Sequence, residues 1–537
     1  MSTSQYDTYT SPLAARNASE QMLRLWSPRH KFNTWRRIWL AVAEAQHELG
    51  LPVSREQVEE LRAVVNRPGG ITDEEMKAAE KYERELRHDV MAHVHALGDS
   101  CPKAKGIIHL GMTSQDVVCN ADMMIIAEAL RITELKTWRG CNSLLEQAKK
   151  HAATPTLAFT HYQPAQAITV GRRFAQWAYE LMLVRERLTS DLDSFKIKGL
   201  RGATGSQASY LALLDGQPDR VDAFEAAAVA AILGDSRSGS SNTNKTAAQL
   251  NQQMDLTGQA ETMLEAATPS EATDRGYIGR HTHTLVTQNY PRVIDTFILA
   301  DLASTASVLH KIATDIRLLC NRKEIDEPFE TKQIGSSAMP YKRNPMRCER
   351  ICGLARFVIN LVGNGYDTAA TQWLERTLDD SSNRRLSLPE AFLALDGALD
   401  IMHNVASGLI VHEAMVRKNL MAELPFMATE NILMECVKLG GDRQHYHELI
   451  RQHAQVAGLR VKQEGMDNDL LDRLQNDPAF GPPALAAALN WEGLMDPMKY
   501  IGRSAEQTER FVEEVVEPLR QQYGESIAKL EGNAPQV

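Results

Sequence analysis

Long stretches of this chain contain no proline, and that constrains its fold more than any other feature. Among them are the gaps between Pro102 and Pro155, Pro164 and Pro218, Pro291 and Pro328, Pro345 and Pro389, and Pro389 and Pro425. They are filled with Leu, Ala, Met, Ile, Glu, Lys and Arg, which are good helix formers. Apolar residues recur there at helical spacing, as in Leu135, Trp138, Cys141 and Leu145, and nearer the start in Trp35, Ile38, Trp39 and Val42. Thr72 with Glu75, and Ser54 with Gln57, have the spacing of capping boxes. No region sustains period-two alternation between turn residues, so few strands are expected. Helices of roughly 25–35 residues imply an all-α protein built on a long bundle, with faces left to bury against other subunits.

A chain of 537 residues is too long for one small core and implies two to four structural units. The net charge of -10 argues against nucleic acid as the main partner, since a phosphate backbone needs a basic face. The first residues carry no basic stretch followed by an apolar one, so no signal peptide is expected. No apolar run is read as long enough to cross a bilayer. Seven cysteines, an odd number without a CxxC pair, point to reduced thiols and a cytoplasmic protein. Cys348 and Cys352 share a helix face but have no His or Cys neighbour to complete a metal set, so packing is the better reading. Residues 234–284 are rich in Ser, Thr, Asn, Gln and Gly, and read as a surface excursion with one short helix around Gln259 to Ala267.

Four clusters concentrate polar residues that a bundle does not need for folding. In "RHDVMAHVH", Arg87 and His88 at a helix end suit an anionic substrate, His88 and His95 share a helix face, and His93 reads as structural. A metal site there lacks a third ligand. In "HLGMTSQDV", Thr113 and Ser114 are N-cap residues by default, and the same geometry leaves N–H groups free for phosphate or carboxylate. In "FTHYQPAQ", Pro164 fits the first turn of a following helix, placing His161 before its positive end and favouring a neutral imidazole. The fourth cluster joins the irregular loop "KQIGSSAMPYKRNPMRCER" to "QWLERTLDDSSNRR". Lys342, Arg343, Arg347, Arg350, Arg376, Arg384 and Arg385 make it locally cationic in an acidic protein, and Gly335 with its serines suggests a mobile lid over an anion. These residues by themselves imply a helical enzyme doing proton-transfer chemistry on a polyanionic small substrate.

The stretch "GSSAMPYKRNP" resembles the signature loop of the fumarase/aspartase superfamily. Together with "RHDVMAHVH", "THYQPAQ", "ELPFMATENI" and "LERTLDDSSNRR", it is similar to the adenylosuccinate lyase family of the animal and fungal type, over nearly the whole chain. The resemblance implies a three-part, all-α L-aspartase/fumarase-like subunit, here divided at 1–113, 114–411 and 412–537, with the signature loop at 332–345. It implies a homotetramer with active sites shared between subunits, nucleotide substrates, no cofactor and no metal. The reaction implied is elimination of fumarate from adenylosuccinate, giving AMP, and from the succinyl-aminoimidazole-carboxamide ribotide, giving its carboxamide. By resemblance Ser336 is the base, His161 the general acid, Lys342 a stabiliser of charge and Glu349 the carboxylate that orients the histidine. Arg16, Arg87, His88, Asp89, Thr113, Ser114, Thr160, Gln288, Ser337, Met339, Asn344, Arg350, Arg376, Ser381 and Arg385 match substrate-binding positions. Two departures stand out: Asn17 replaces a usual tyrosine, and the 234–284 excursion is longer than the family's equivalent. The alternatives are another fumarate-releasing lyase, of the argininosuccinate, fumarase or aspartase type, and a catalytically silent structural member.

Overall fold

The computed structural model describes residues 7–234, 273–330, 332–480, 488–528 and 530. Most of the 234–284 excursion, including the helix expected around Gln259 to Ala267, lies outside the described residues.

Five long helices form the framework: Ser114–Lys150, Val170–Asp193, Val293–Asn321, Met346–Ala370 and Asp379–Ser407. They pack side by side around one apolar core that includes Leu135, Trp138, Cys141, Leu145, Phe174, Leu302, Ile351 and Leu395. A second core holds Trp35, Ile38, Trp39 and Val42 from the helix Pro28–Glu48, and joins them to Val117, Phe224 and Tyr290. A third, around Ile432, Tyr446 and Phe480, lies toward the C-terminus, after which Val512, Val516 and Tyr523 return to the bundle. Both expected capping boxes form, at Ser54 and at Thr72.

Two readings need correction. Pro389 and Pro425 do not end helices; each lies inside one, Asp379–Ser407 and Glu413–Met427. Arg385, four residues before Pro389, is the residue whose carbonyl loses its helical donor, and it lies at an exposed position. Val293–Asn321 is also long and apolar enough to cross a bilayer, with mean hydropathy 1.3 over its most apolar window. Its apolarity serves packing: the helix contacts Val170–Asp193, Met346–Ala370 and Asp379–Ser407.

The bundle has two distinct ends. At the first, the starts of three helices are tied by Arg384 to Asp295 (2.6 Å) and Asp122 (3.1 Å), and by Arg292 to Asp380 (2.7 Å). At the second, Gln147 donates to the Ser407 carbonyl (3.3 Å), Arg347 to Asn404 Oδ1 (2.8 Å), and Ile325 pairs with Val411. With a rise of about 1.5 Å per residue, the 25 residues of Met346–Ala370 separate these ends by about 37 Å. Between them, fully buried Lys136 bridges Asp396 (2.5 Å) and Asp400 (3.0 Å), with Arg139 also on Asp400.

Candidate active site

At the first end, the helix Asp73–Leu86 stops at Arg87, which takes a left-handed conformation with φ 54°. His88 then caps the helix Asp89–Ser100, its Nδ1 accepting from the Met91 N–H at 3.3 Å. This abrupt junction leaves Arg87 and His88 exposed. Ser114 Oγ lies 3.4 Å from His88 Nε2, and Arg385 donates to Asp89 Oδ2 at 2.9 Å. Burial acts to raise the Asp89 pKa, but the Val90 N–H at 2.8 Å and the Arg385 guanidinium outweigh it and hold the carboxyl below its usual value.

Thr113 caps the long helix Ser114–Lys150, and its N–H donates to Asp116 Oδ2 at 3.1 Å. The buried Asp116 also receives the N–H groups of Arg201 (3.1 Å) and Gly202 (3.2 Å), the Tyr210 hydroxyl (3.1 Å) and the Lys198 ammonium. A buried carboxylate with that many donors holds the Thr113–Ser114 turn firmly. The Gln288 N–H donates to the Glu375 carbonyl at 3.2 Å, joining the segment before Val293 to the loop before Asp379. Arg376 in that loop bonds Asn289 and Asp380 (3.3 Å for the latter), and half-buried Ser381 begins the next helix.

At the second end stands the signature loop. Ser336 Oγ accepts from the Met339 N–H at 3.2 Å, and the Lys342 N–H donates to the Met339 carbonyl at 2.9 Å. Ser337, Met339 and Lys342 are exposed, while Asn344 donates to the Gly335 carbonyl at 2.9 Å. Exposed Glu349 follows in the first turn of Met346–Ala370. The pKa of Arg350 is lowered, first by burial and then by the positive charges of Arg16 and Arg347. Asn17 is half-buried and donates to the Pro12 carbonyl at 2.9 Å, so its amide is engaged locally where a tyrosine was expected.

The third group is His161 and Thr160, and here the expected local structure is wrong. Pro164 does not begin a helix. It lies in a strand, Gln163–Thr169, paired antiparallel with Pro155–Thr160, and the next helix starts only at Val170. His161 and Tyr162 form the two-residue turn, with φ 54° and 58°. The helix expected to start at Pro164 therefore does not stand beside His161, and the dipole reason for a neutral imidazole falls away. The turn instead holds Thr160 and His161 out as an exposed tip. Phe159 anchors it, with the Arg322 guanidinium 4.6 Å from its ring centre.

The cationic cluster read from the sequence also divides. Arg347 and Arg384 are buried and spent on structural partners, Glu330 and Asn404 for the first, Asp122, Asp295 and Tyr290 for the second. Lys31 was missed. Its pKa is lowered, chiefly by burial, with Asp122, Arg385 and Asp89 among the charges acting on it, and its ammonium lies 5.0 Å from the Trp35 ring centre. Nothing in the local sequence distinguishes it from any other lysine on an amphipathic helix. Cys348 and Cys352 are both buried, in keeping with a packing role, and all seven cysteines are free thiols.

Arg87, His88, Asp89, Thr113, Ser114, Gln288, Arg376, Ser381 and Arg385 thus gather at one end of the bundle. Ser336, Ser337, Met339, Lys342, Asn344, Glu349 and Arg350 gather at the other, with the His161 hairpin following the far end of Ser114–Lys150.

A family profile described as "Lyase" matches residues 16–261 and 280–360, breaking inside the excursion, and one described as "Adenylosuccinate lyase C-terminus" matches 425–511. An adenylosuccinate lyase of Schizosaccharomyces pombe is 42% identical over 508 residues, 94% of each chain. One of Saccharomyces cerevisiae is 42% identical over 515 residues, 95% of each chain. Among solved structures, a 3-carboxy-cis,cis-muconate lactonizing enzyme from Pseudomonas putida superposes with a TM-score of 0.70 at 22% identity, over 93% of this chain and 97% of its own. A fumarate lyase from Mesorhizobium sp. gives 0.70 at 19%, over 94% of this chain and 100% of its own. These two establish the fold alone; the yeast relatives and the profiles go further, and the chain belongs to the adenylosuccinate lyase family.

Proposed function

We propose that this protein eliminates fumarate from adenylosuccinate to give AMP, and from the succinyl-aminoimidazole-carboxamide ribotide to give its carboxamide, in cytoplasmic purine nucleotide synthesis. The observation that carries this reading is the near-full-length similarity to the yeast adenylosuccinate lyases. In the reaction Ser336 removes the proton from the carbon beside a succinyl carboxylate. The electron pair left behind spreads onto that carboxylate, where Lys342 and loop N–H groups stabilise it. The carbon–nitrogen bond then breaks, His161 protonates the departing nitrogen, and fumarate leaves. A serine is a poor base, and the Met339 N–H aimed at Ser336 Oγ favours its anionic form. Lys31, beside Asp89 and Arg385, joins the residues that face the substrate's anionic groups.

The distance between the two ends of the bundle gives the assembly a reason. No ligand of nucleotide size bridges about 37 Å, so one chain does not complete a site by itself. Phe297, Phe357, Tyr366 and Leu386 on the bundle helices are exposed, as a homotetrameric bundle with shared sites requires. Fumarate release from adenylosuccinate tests the reaction; absence of release by the assembled protein, with turnover of argininosuccinate, aspartate or malate, favours a different lyase. Mixing tests the sharing. His88→Ala and Ser336→Ala subunits, each inactive alone, are expected to recover fumarate release when reassembled together, because hybrids contain sites with both residues intact. Mixtures no more active than their parents would mean that each chain supplies a whole site.

A further inference from the structure

The His161 hairpin is seated on the C-terminal part of the chain. In the helix Glu413–Met427, Val416, Leu420 and Leu424 recur every four residues and are all buried, so one apolar face is committed to packing. Leu420 on that face meets Leu157 and Ala167, a directly opposed pair in the two strands, and Ile501 closes the cluster. The neighbouring Asn419 holds the hairpin from a second side. Its amide donates to the Arg322 carbonyl at 3.1 Å and to Glu324 Oε1 at 2.8 Å. Buried Glu324 also accepts from Arg322 Nε at 3.1 Å, and the Arg322 guanidinium sits 4.6 Å from the Phe159 ring centre. Arg173 fixes the backbone, donating to the Leu157 carbonyl at 2.7 Å.

Beyond the Leu157–Ala167 pair the ladder is interrupted by a β-bulge, Phe159 meets Pro164, and His161 begins the turn. At about 3.3 Å per residue the turn stands about 13 Å beyond that pair, so a tilt of about 5° at the base displaces the imidazole by about 1 Å. Proton transfer to a departing nitrogen is sensitive to a displacement of that size. We propose that the helix Glu413–Met427 aims the acid, with Leu420 and Asn419 as positioning residues that act through the hairpin on His161. The inference rests on His161 being the general acid. It gives the C-terminal part a share in the chemistry, although no candidate site residue lies there.

The test uses Leu420→Ala, which opens the apolar cluster, and Asn419→Ala, which keeps every apolar contact but releases Arg322 and Glu324. Ile432→Ala, in the core around Tyr446, is the control for a cavity made elsewhere in the C-terminal part. With adenylosuccinate, kcat is expected to fall about tenfold in the first two variants while KM changes less than about threefold, and Leu420→Met to recover most of the loss. An analogue with sulfur in place of the bridging nitrogen departs as a thiolate and needs no proton, so its elimination should fall less than about twofold in the same variants. Ile432→Ala should keep kcat on both substrates. Losses of equal size on both substrates, a rise in KM with kcat kept, or unchanged kcat in folded Asn419→Ala beside an active wild type overturns the proposal. A wild type that releases no fumarate refutes the proposed reaction instead, and full activity in His161→Ala refutes the assignment of the acid. Amide hydrogen exchange still judges the seating in those cases. In the strand Pro155–Thr160 it should quicken about tenfold in Leu420→Ala and Asn419→Ala but not in Ile432→Ala, and equal exchange in all three overturns it.

Discussion

Ser336→Ala is expected to lower fumarate release from adenylosuccinate by about a thousandfold, with thermal unfolding hardly moved. The size follows from removing a positioned proton acceptor, which contributes about 10²–10⁴ in rate. The small stability effect follows from exposure. Ser336 is half-buried at a loop tip, and among the described residues its hydroxyl accepts from the Met339 N–H, a bond that water replaces. His161→Ala is expected to lose about a hundredfold or more, again with little change in unfolding, because the hairpin tip is exposed and the fold does not lean on the imidazole. The two variants differ in a useful way. A substrate analogue whose leaving group needs no proton should recover most of the His161→Ala loss and none of the Ser336→Ala loss. Equal recovery in both would mean the acid and base roles are wrongly assigned, and full activity in Ser336→Ala would remove the loop from the chemistry.

The largest effect on stability is expected from Lys136→Met. That ammonium is fully buried between Asp396 and Asp400, and its loss leaves two carboxylates in the core with only Arg139 to offset them. Removing one partner of a buried ionic cluster costs about 3–5 kcal/mol, mostly from the uncompensated charge left behind. Chemical denaturation of the assembled protein measures it, and adding Asp396→Asn should restore part of the loss, since the pair is coupled. The change reaches the site as well. Asp396 also accepts from the Ser19 N–H at 2.7 Å, and the Asn17 backbone packs against Gly397 on the same helix. Loosening that anchor lets Arg16, one residue before Asn17, drift from its position, so KM should rise more than kcat falls. A variant as stable as wild type would show that the cluster is neutral to folding.

What could be read from the chain alone was local. Proline-free spacing, the Ser54 and Thr72 caps and the 3.6-residue pattern of Trp138 and its neighbours depend on interactions within a turn or two, so the helices and the core residues were legible. The signature loop was legible for the same reason, as an unbroken motif. The hairpin under His161 was not, because Pro164 is equally at home starting a helix or on an exposed strand, and its pairing partner is a short irregular run. Nor could the sequence say which arginines are available. Arg384 and Arg385 are neighbours, yet one is buried against Asp295 and Tyr290 while the other is exposed and reaches Asp89, 296 residues away. The Glu327 carboxylate accepts from the N–H groups of Arg347 and Cys348, partners that spacing does not announce. The helices and the signature motif were therefore determined by the chain's own local chemistry. Only the tertiary structure decided which charges face each other, which are consumed by the core, and that the two groups of candidate residues stand at opposite ends of the bundle. The physical reason is that burial and charge pairing are set by contacts between residues hundreds of positions apart, as Lys136 and Asp400 show.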